Sequence, residues 1–109
     1  MSDKATKEQQ VQWLRDRLQT AFSLKNLPGY MWDGVERWVV NGIPAGDFLM
    51  AVFEDKLVEA FARADEANTS CMKDWAGFMY WDVPSSCRGK NVATWQGLDA
   101  IFKAEEDAA

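Results

Sequence analysis

The sequence of 109 residues contains no histidine and only two cysteines, Cys71 and Cys87, which do not form a CxxC pair. Without histidine there is no Ser-His or Cys-His nucleophile, no imidazole acid or base near neutral pH and no histidine metal ligand. The N-terminal residues contain no apolar segment typical of a secretory signal, so we expect both cysteines to be reduced thiols. The sequence therefore predicts no enzyme, no metal site and no cofactor.

The sequence also lacks an excess of positive charge and any long apolar run. It has 12 Lys and Arg against 17 Asp and Glu, a net charge of −5. Binding to nucleic acid or to anionic membranes depends on Lys and Arg, and no charge-free stretch approaches the ~20 residues of a membrane span. We therefore expect a cytoplasmic protein with no membrane partner, and direct nucleic-acid binding is disfavoured.

The sequence is rich in apolar residues, with 48% hydrophobic residues and six Trp. This composition supplies a packed core, and the length suits one domain. We expect residues 1–109 to form a single helical domain, with frayed ends at residues 1–5 and 103–109.

Apolar residues recur at spacings of three and four in several segments, which predicts helices with apolar inner faces. The predicted inner faces include Leu57 and Phe61 in residues 47–64, and Tyr80 in the segment that ends near residue 81. Thr6 and Gln9 have capping-box spacing at the start of the first helix, and Gly42 is a predicted helix end. No segment alternates as a strand would, so the predicted fold is all-α, a single compact bundle of about five helices. The predicted helices cover residues 6–24, 33–41, 47–64, a segment from a break at 65–68 to about 81, and a segment from about 91. One continuous helix through residues 65–68 is the alternative.

Residues 34–53 contain the most distinctive motif, in which Gly-Ile-Pro-Ala-Gly-Asp-Phe-Leu occupies residues 42–49. This stretch resembles a family of short proteins encoded by phages and prophages of Gram-negative bacteria, with the pattern GxxR[YW]VxxGxPxGxFLxAV. The resemblance extends to Trp95, but the chain departs from the family pattern at residues 54–57 and 87–90. The family has no settled activity. The resemblance therefore implies a setting inside an infected bacterial cell and assigns no functional residues.

The reactive side chains offer weak catalytic candidates. Cys87 precedes Arg88 and a predicted helix start, both of which favour a lowered thiol pKa, but no histidine is available as its base. Neighbouring carboxylates such as Glu54 and Asp55 are residue types that bind Mg²⁺ or transfer protons. On an amphipathic helix we interpret them as the solvated face.

The six Trp divide into two groups. Three lie on predicted inner stripes and are assigned to the core: Trp38, Trp75 and Trp95. The other three lie off the stripes or at element ends: Trp13, Trp32 and Trp81. Because Trp is enriched in interface hot spots, the second group predicts a partner site, although covering the ends of the bundle is the plain alternative.

The negative charge is concentrated in residues 31–82, which contain ten acidic and four basic residues. The predicted partner-binding residues are Glu54, Asp55, Glu59, Asp65 and Glu66, together with Trp13, Trp32 and Trp81. We interpret the chain as a non-enzymatic phage accessory protein that binds and modulates a protein partner. In the most specific form of this hypothesis, an acidic helical face inhibits a CRISPR or restriction complex. The requirement for solubility is the alternative explanation of the negative charge.

The alternative function is a helix-turn-helix-like nucleic-acid-binding regulator, built on the connector at residues 42–46. In such a regulator, Asp47, Phe48 and Leu49 would enter the DNA groove. These residues are acidic or apolar and are therefore poorly suited to bind DNA. Whether the chain forms a homodimer stays open.

Overall fold

The computed structural model describes residues 6–108, with side chains for residues 6–103. The predictions for residues 1–5 and for the side chains after residue 103 lie outside this range. The described chain contains no strand, which confirms the all-α prediction. Its helices are α1 (Lys7–Leu24), α2 (Trp32–Asn41), α3 (Asp47–Phe53), α4 (Leu57–Arg63), α5 (Glu66–Thr69), α6 (Met72–Trp81) and α7 (Leu98–Ala108), with 3₁₀ turns at Gly29–Met31, Ser85–Cys87 and Gly89–Thr94.

Helix α1 begins with the predicted capping box. The Thr6 hydroxyl accepts a 3.1 Å hydrogen bond from the Gln9 N–H, and the Gln9 side chain accepts one of 2.8 Å from the Thr6 N–H. Two N–H groups that the helix itself leaves unpaired are thereby satisfied. The buried side of α1 consists of Val11, Leu18 and Phe22, and the helix packs against α2 and α7.

Two predicted helix extents are wrong. The predicted helix over residues 47–64 is interrupted at residues 54–56, because Asp55 adopts a left-handed backbone with φ of 61°. Helices α3 and α4 therefore form a hairpin of two short helices. The last helix begins at Leu98 and not near residue 91, since Gly97 has φ of 98° and residues 89–94 form a 3₁₀ turn.

Two glycines allow the backbones at the end of α2 and the start of α7 to touch. Gly42 ends α2 as predicted, with φ of 69°, and a Cβ there would clash with the backbone of Gln96. A Cβ on Gly97 would lie 2.5 Å from the carbonyl carbon of Asn41. Only glycine fits such a close approach at positive φ. The junction is reinforced by a 2.8 Å hydrogen bond from Asn41 Nδ2 to Asp99 Oδ2.

The ring of Phe22 lies at the centre of the aromatic core. Its centroid is 5.4 Å from Trp32, 5.9 Å from Trp75 and 5.7 Å from Phe78, all in edge-to-face geometry. This is the arrangement that aromatic quadrupoles favour. The contacts bring together α1, α2 and α6.

The three Trp predicted for the core are buried, and each donates its indole N–H. Trp38 donates to the Cys87 carbonyl at 2.8 Å, and Trp95 to the Trp38 carbonyl at 2.8 Å. Trp75 donates to Asn68 Oδ1 at 2.9 Å. Because each indole N–H is hydrogen-bonded, these rings lie in the core without the penalty of an unpaired buried donor. No helix in the described part of the chain combines the length and apolar character needed to cross a bilayer.

Candidate functional site

Helix α4 exposes its apolar side chains to solvent. Leu57 is 66% exposed, Val58 83% and Phe61 47%, and Ala60 is the only buried residue of the helix. The prediction that Leu57 and Phe61 face inward is therefore wrong. The break at Asp55 turns α4 back beside α3, and the stripe of apolar residues that would continue the core faces outward.

A groove with a volume of about 510 Å³ lies between α4 and α6. Its apolar lining includes Leu57, Ala60, Phe61, Met72, Met79 and Tyr80. Trp75 lies at the same groove, and its ring also contacts Phe48 of α3, at 5.8 Å between ring centroids. Because Trp75 is buried and hydrogen-bonded, part of the groove wall is also part of the rigid core.

Exposed aromatic residues extend the groove along α6. Tyr80 and Trp81 are 68% and 76% exposed, and their rings touch edge-to-face at 4.7 Å. Tyr80 lines the groove, whereas Trp81 lines a second depression of about 640 Å³ beside Leu24 of α1. Tyr80 was predicted to face inward, so this prediction is wrong as well. We call Leu57, Val58, Phe61, Tyr80 and Trp81 the α4–α6 surface.

Charged side chains border the groove at Asp55, Lys56, Lys73 and Arg88. The Arg88 NH1 atom lies 3.8 Å from Asp55 Oδ2, and Lys56 Nζ lies 3.0 Å from Glu54 Oε2. Glu54 does not line the groove. The hydrogen bond to Glu54 raises the pKa of Lys56 above its usual value. Lys73 has no ion-pair partner among the described residues. The border is thus richer in cations than the acidic chain as a whole.

The three Trp predicted to bind a partner occupy different environments. Trp81 belongs to the α4–α6 surface. Trp13 is also exposed, with Arg17 over its ring at 5.5 Å, but it lines a separate depression with Leu14 and Phe102. Trp32 is half-buried against Phe22.

Most of the predicted acidic partner residues are engaged within the chain. Glu54 pairs with Lys56, and Asp55 faces Arg88. Asp65 accepts hydrogen bonds from the Tyr30 hydroxyl and the Asn68 N–H, and the bond from Tyr30 holds the pKa of Asp65 below its usual range.

Glu59 and Glu66 are exposed, and neither has an ion-pair partner in the described part of the chain. Glu59 and Arg63 have the i, i+4 spacing of a helical ion pair, but Arg63 lies 3.4 Å from Asp47 instead. The acidic residues therefore do not make one continuous free face.

Asn68 is a residue whose importance the sequence did not reveal. It is only 2% exposed, and its Nδ2 donates to Asp65 at 3.0 Å and to the Tyr30 hydroxyl at 3.4 Å. Its Oδ1 accepts from Trp75. Asn68 thereby connects the polar side chains near α5 to the aromatic wall of the groove. The Asp65-to-Asn68 spacing signals a cap, but nothing in the sequence signals the bond to Trp75.

The two thiols are free and buried. Burial raises the pKa of Cys87 to about 12, outweighing the lowering effect of Arg88, and burial also raises the pKa of Cys71. The lowered pKa expected for Cys87 is therefore wrong, and the thiol is a poor nucleophile at neutral pH. Across the described residues, no group of three or more Cys, Asp and Glu is arranged to hold a metal ion.

No protein-family model matches the chain, and comparisons with curated proteins and with solved structures also give no match. The resemblance to short phage proteins therefore stays a prediction from the motif. The α4–α6 surface is the feature of the described chain that bears on its function.

Proposed function

We propose that the chain is a non-enzymatic protein-binding module that contacts its partner through the α4–α6 surface. One observation carries the proposal: the exposed Leu57 and Phe61 of α4 line one groove with the exposed Tyr80 of α6. Exposed Trp81 touches Tyr80, and exposed Val58 follows Leu57 in the chain. Large contiguous apolar patches on monomers mark binding sites, and Trp and Tyr are enriched in interface hot spots.

The motif at residues 34–53 supports a narrower proposal about the setting. In this proposal the chain is an accessory protein of phages or prophages that modulates a host or phage protein inside a bacterial cell. Inhibition of a CRISPR or restriction complex is its sharpest form. Glu59 and Glu66 would then approach basic residues of the target at the edge of the interface, while the apolar surface supplies its centre.

Protein binding is favoured over the helix-turn-helix alternative by the burial of Phe48 and Leu49. These side chains face the core, so they are unavailable to contact base edges in a DNA groove. Of the three residues at the start of α3, Asp47 alone is exposed, and its carboxylate would repel phosphates.

The proposal is tested by affinity capture from the bacterial host with a tagged chain. The test variant combines Leu57→Ser, Val58→Ser and Tyr80→Ser. The matched control combines Ile43→Ser and Ile101→Ser, which are exposed apolar residues outside the surface. We expect wild type and control to capture the same partner, and the test variant to capture about tenfold less or worse. Undiminished capture by the folded test variant would refute the proposal.

A further inference from the structure

We infer that the groove between α4 and α6 binds an amphipathic helix of the partner whose flanks are acidic. This inference rests on the proposed function and adds the chemistry of the partner. It follows from the shape of the groove, from the charges at its border and from the unused hydrogen-bonding capacity of Arg88.

The shape and lining of the groove suit a helix. Its walls are helices, and no strand edge is available in residues 6–108 for pairing with an extended peptide. Ala60 and Ala76 leave room for inserted side chains, and Met72 and Met79 can adapt to them. An amphipathic helix inserts apolar residues from successive turns into such a groove.

The charges at the border favour acidic residues on the segment of the partner that lies in the groove. Lys56, Lys73 and Arg88 line the groove, and Asp55 is the only carboxylate among the described residues that line it. The net charge of the chain is −5. Glu54 and Asp55 compensate part of the positive charge at the border, but Lys73 has no ion-pair partner among the described residues. The acidic neighbours Glu59 and Asp74 do not line the groove. Complementary charge at the rim raises the association rate and selects the partner.

Arg88 has hydrogen-bonding capacity that the chain itself does not use. Its Nε is buried and has no acceptor within the described chain, and its NH1 is 3.8 Å from Asp55, beyond hydrogen-bond range. A guanidinium offers five N–H donors and binds carboxylates through two of them at once. Arg88 lines the groove with 24% of its side chain exposed, which places its guanidinium to donate to a Glu or Asp on the flank of the bound helix.

The test uses the purified chain of residues 1–109 and three labelled synthetic peptides of about 18 residues, long enough to form a helix. All three share one Leu and Phe face, and their flanks are Glu, Lys or Gln. We expect fluorescence anisotropy to give about tenfold tighter binding of the Glu peptide than of the Lys peptide, with the advantage shrinking at high salt.

Three variants locate the binding. Ala76→Trp, at an exposed position that lines the groove, fills it and should abolish binding of the Glu peptide. Lys73→Glu should weaken that binding about tenfold. Lys103→Glu makes the same charge change at an exposed position outside the groove and should leave the affinity within about twofold. Circular dichroism checks that each variant is folded.

Each contrary result overturns the inference in a distinct way. Equal binding of the three peptides would contradict the acidic flanks. Absence of binding by all three would contradict an amphipathic helix as the occupant of the groove. Dimerisation of the free chain that Ala76→Trp abolishes, seen by analytical ultracentrifugation, assigns the groove to a second copy. Capture of the host partner by the Leu57, Val58 and Tyr80 variant is a separate measurement. The proposed function is refuted by undiminished capture and not by a negative result with the peptides.

Discussion

Helices α3 and α4 are consecutive, have seven residues each and are both rich in apolar side chains, yet they are buried to very different extents. Helix α3 buries Phe48, Leu49, Ala51, Val52 and Phe53, whereas α4 buries only Ala60. The difference arises at Asp55, where the chain reverses direction. Two helices of similar apolar content therefore differ in role: α3 forms part of the core, and α4 forms part of an exposed surface.

The exposed apolar residues of α4 contribute little to stability, because burial of apolar area is what stabilises the fold. A chain that needed only solubility would place polar residues at Leu57 and Val58. Their presence on the surface is explained if a partner covers them.

The largest difference in the free energy of unfolding between α3 and α4 is expected for matched substitutions of phenylalanine. Phe53 in α3 is fully buried, and Phe61 in α4 is about half exposed. We expect Phe53→Ala to lower the free energy of unfolding by about 4 kcal/mol and Phe61→Ala by about 1 kcal/mol. Urea denaturation followed by far-ultraviolet circular dichroism measures both values. Equal losses would show that α4 belongs to the core.

The second prediction concerns the wall shared by the core and the groove. Asn68→Ala removes the acceptor of the buried Trp75 N–H, and we expect a loss of about 2 kcal/mol in the free energy of unfolding. Ser70→Ala, at an exposed neighbouring position, should change it by less than about 0.5 kcal/mol. A similar small change for Asn68→Ala would mean that this part of the groove is not rigidly held.

The third prediction concerns the turn that separates the two helices. Asp55 has positive φ, a conformation that costs an ordinary L-residue roughly 1 kcal/mol or more and costs glycine very little. We therefore expect Asp55→Gly to be about 1 kcal/mol more stable than Asp55→Ala in thermal or urea unfolding. Both variants lose the pairing with Arg88, so the difference isolates the backbone. Equal stability would contradict the left-handed turn.

The smallest effect is expected at the most exposed residue of α4. We expect Val58→Lys to leave the free energy of unfolding within about 0.5 kcal/mol of the wild type, because Val58 has little contact with the core. Binding of a hydrophobic dye such as ANS should decrease, since the variant breaks the exposed apolar surface. A clear loss of stability would place Val58 in a packed environment.

Much of the fold was predictable where local chemistry decides it. The capping box at Thr6, the glycine end of α2 at Gly42 and the burial of three Trp all follow from the sequence. The break between α3 and α4 did not, because residues 54–56 contain neither Gly nor Pro and the apolar period continues through Leu57 and Phe61. The same pattern is compatible with one long helix or with a helical hairpin.

The candidate site was only partly predictable. The exposure of Trp13 and Trp81 follows from their positions off the apolar stripes. Tyr80 and Phe61 lie on a predicted inner stripe, and periodicity alone does not distinguish a stripe that faces the core from one that faces an open groove. The acidic residues were identified, but their pairing with basic neighbours depends on contacts made by the folded chain.

The most direct test of the α4–α6 surface is site-specific photo-crosslinking in the bacterial host. Benzoylphenylalanine replaces Val58 in one variant and the exposed Arg37 of α2 in the other. We predict a covalent adduct with a single protein partner from position 58 and none from position 37. An adduct from position 37, with none from position 58, would contradict the assignment of the α4–α6 surface as the binding site.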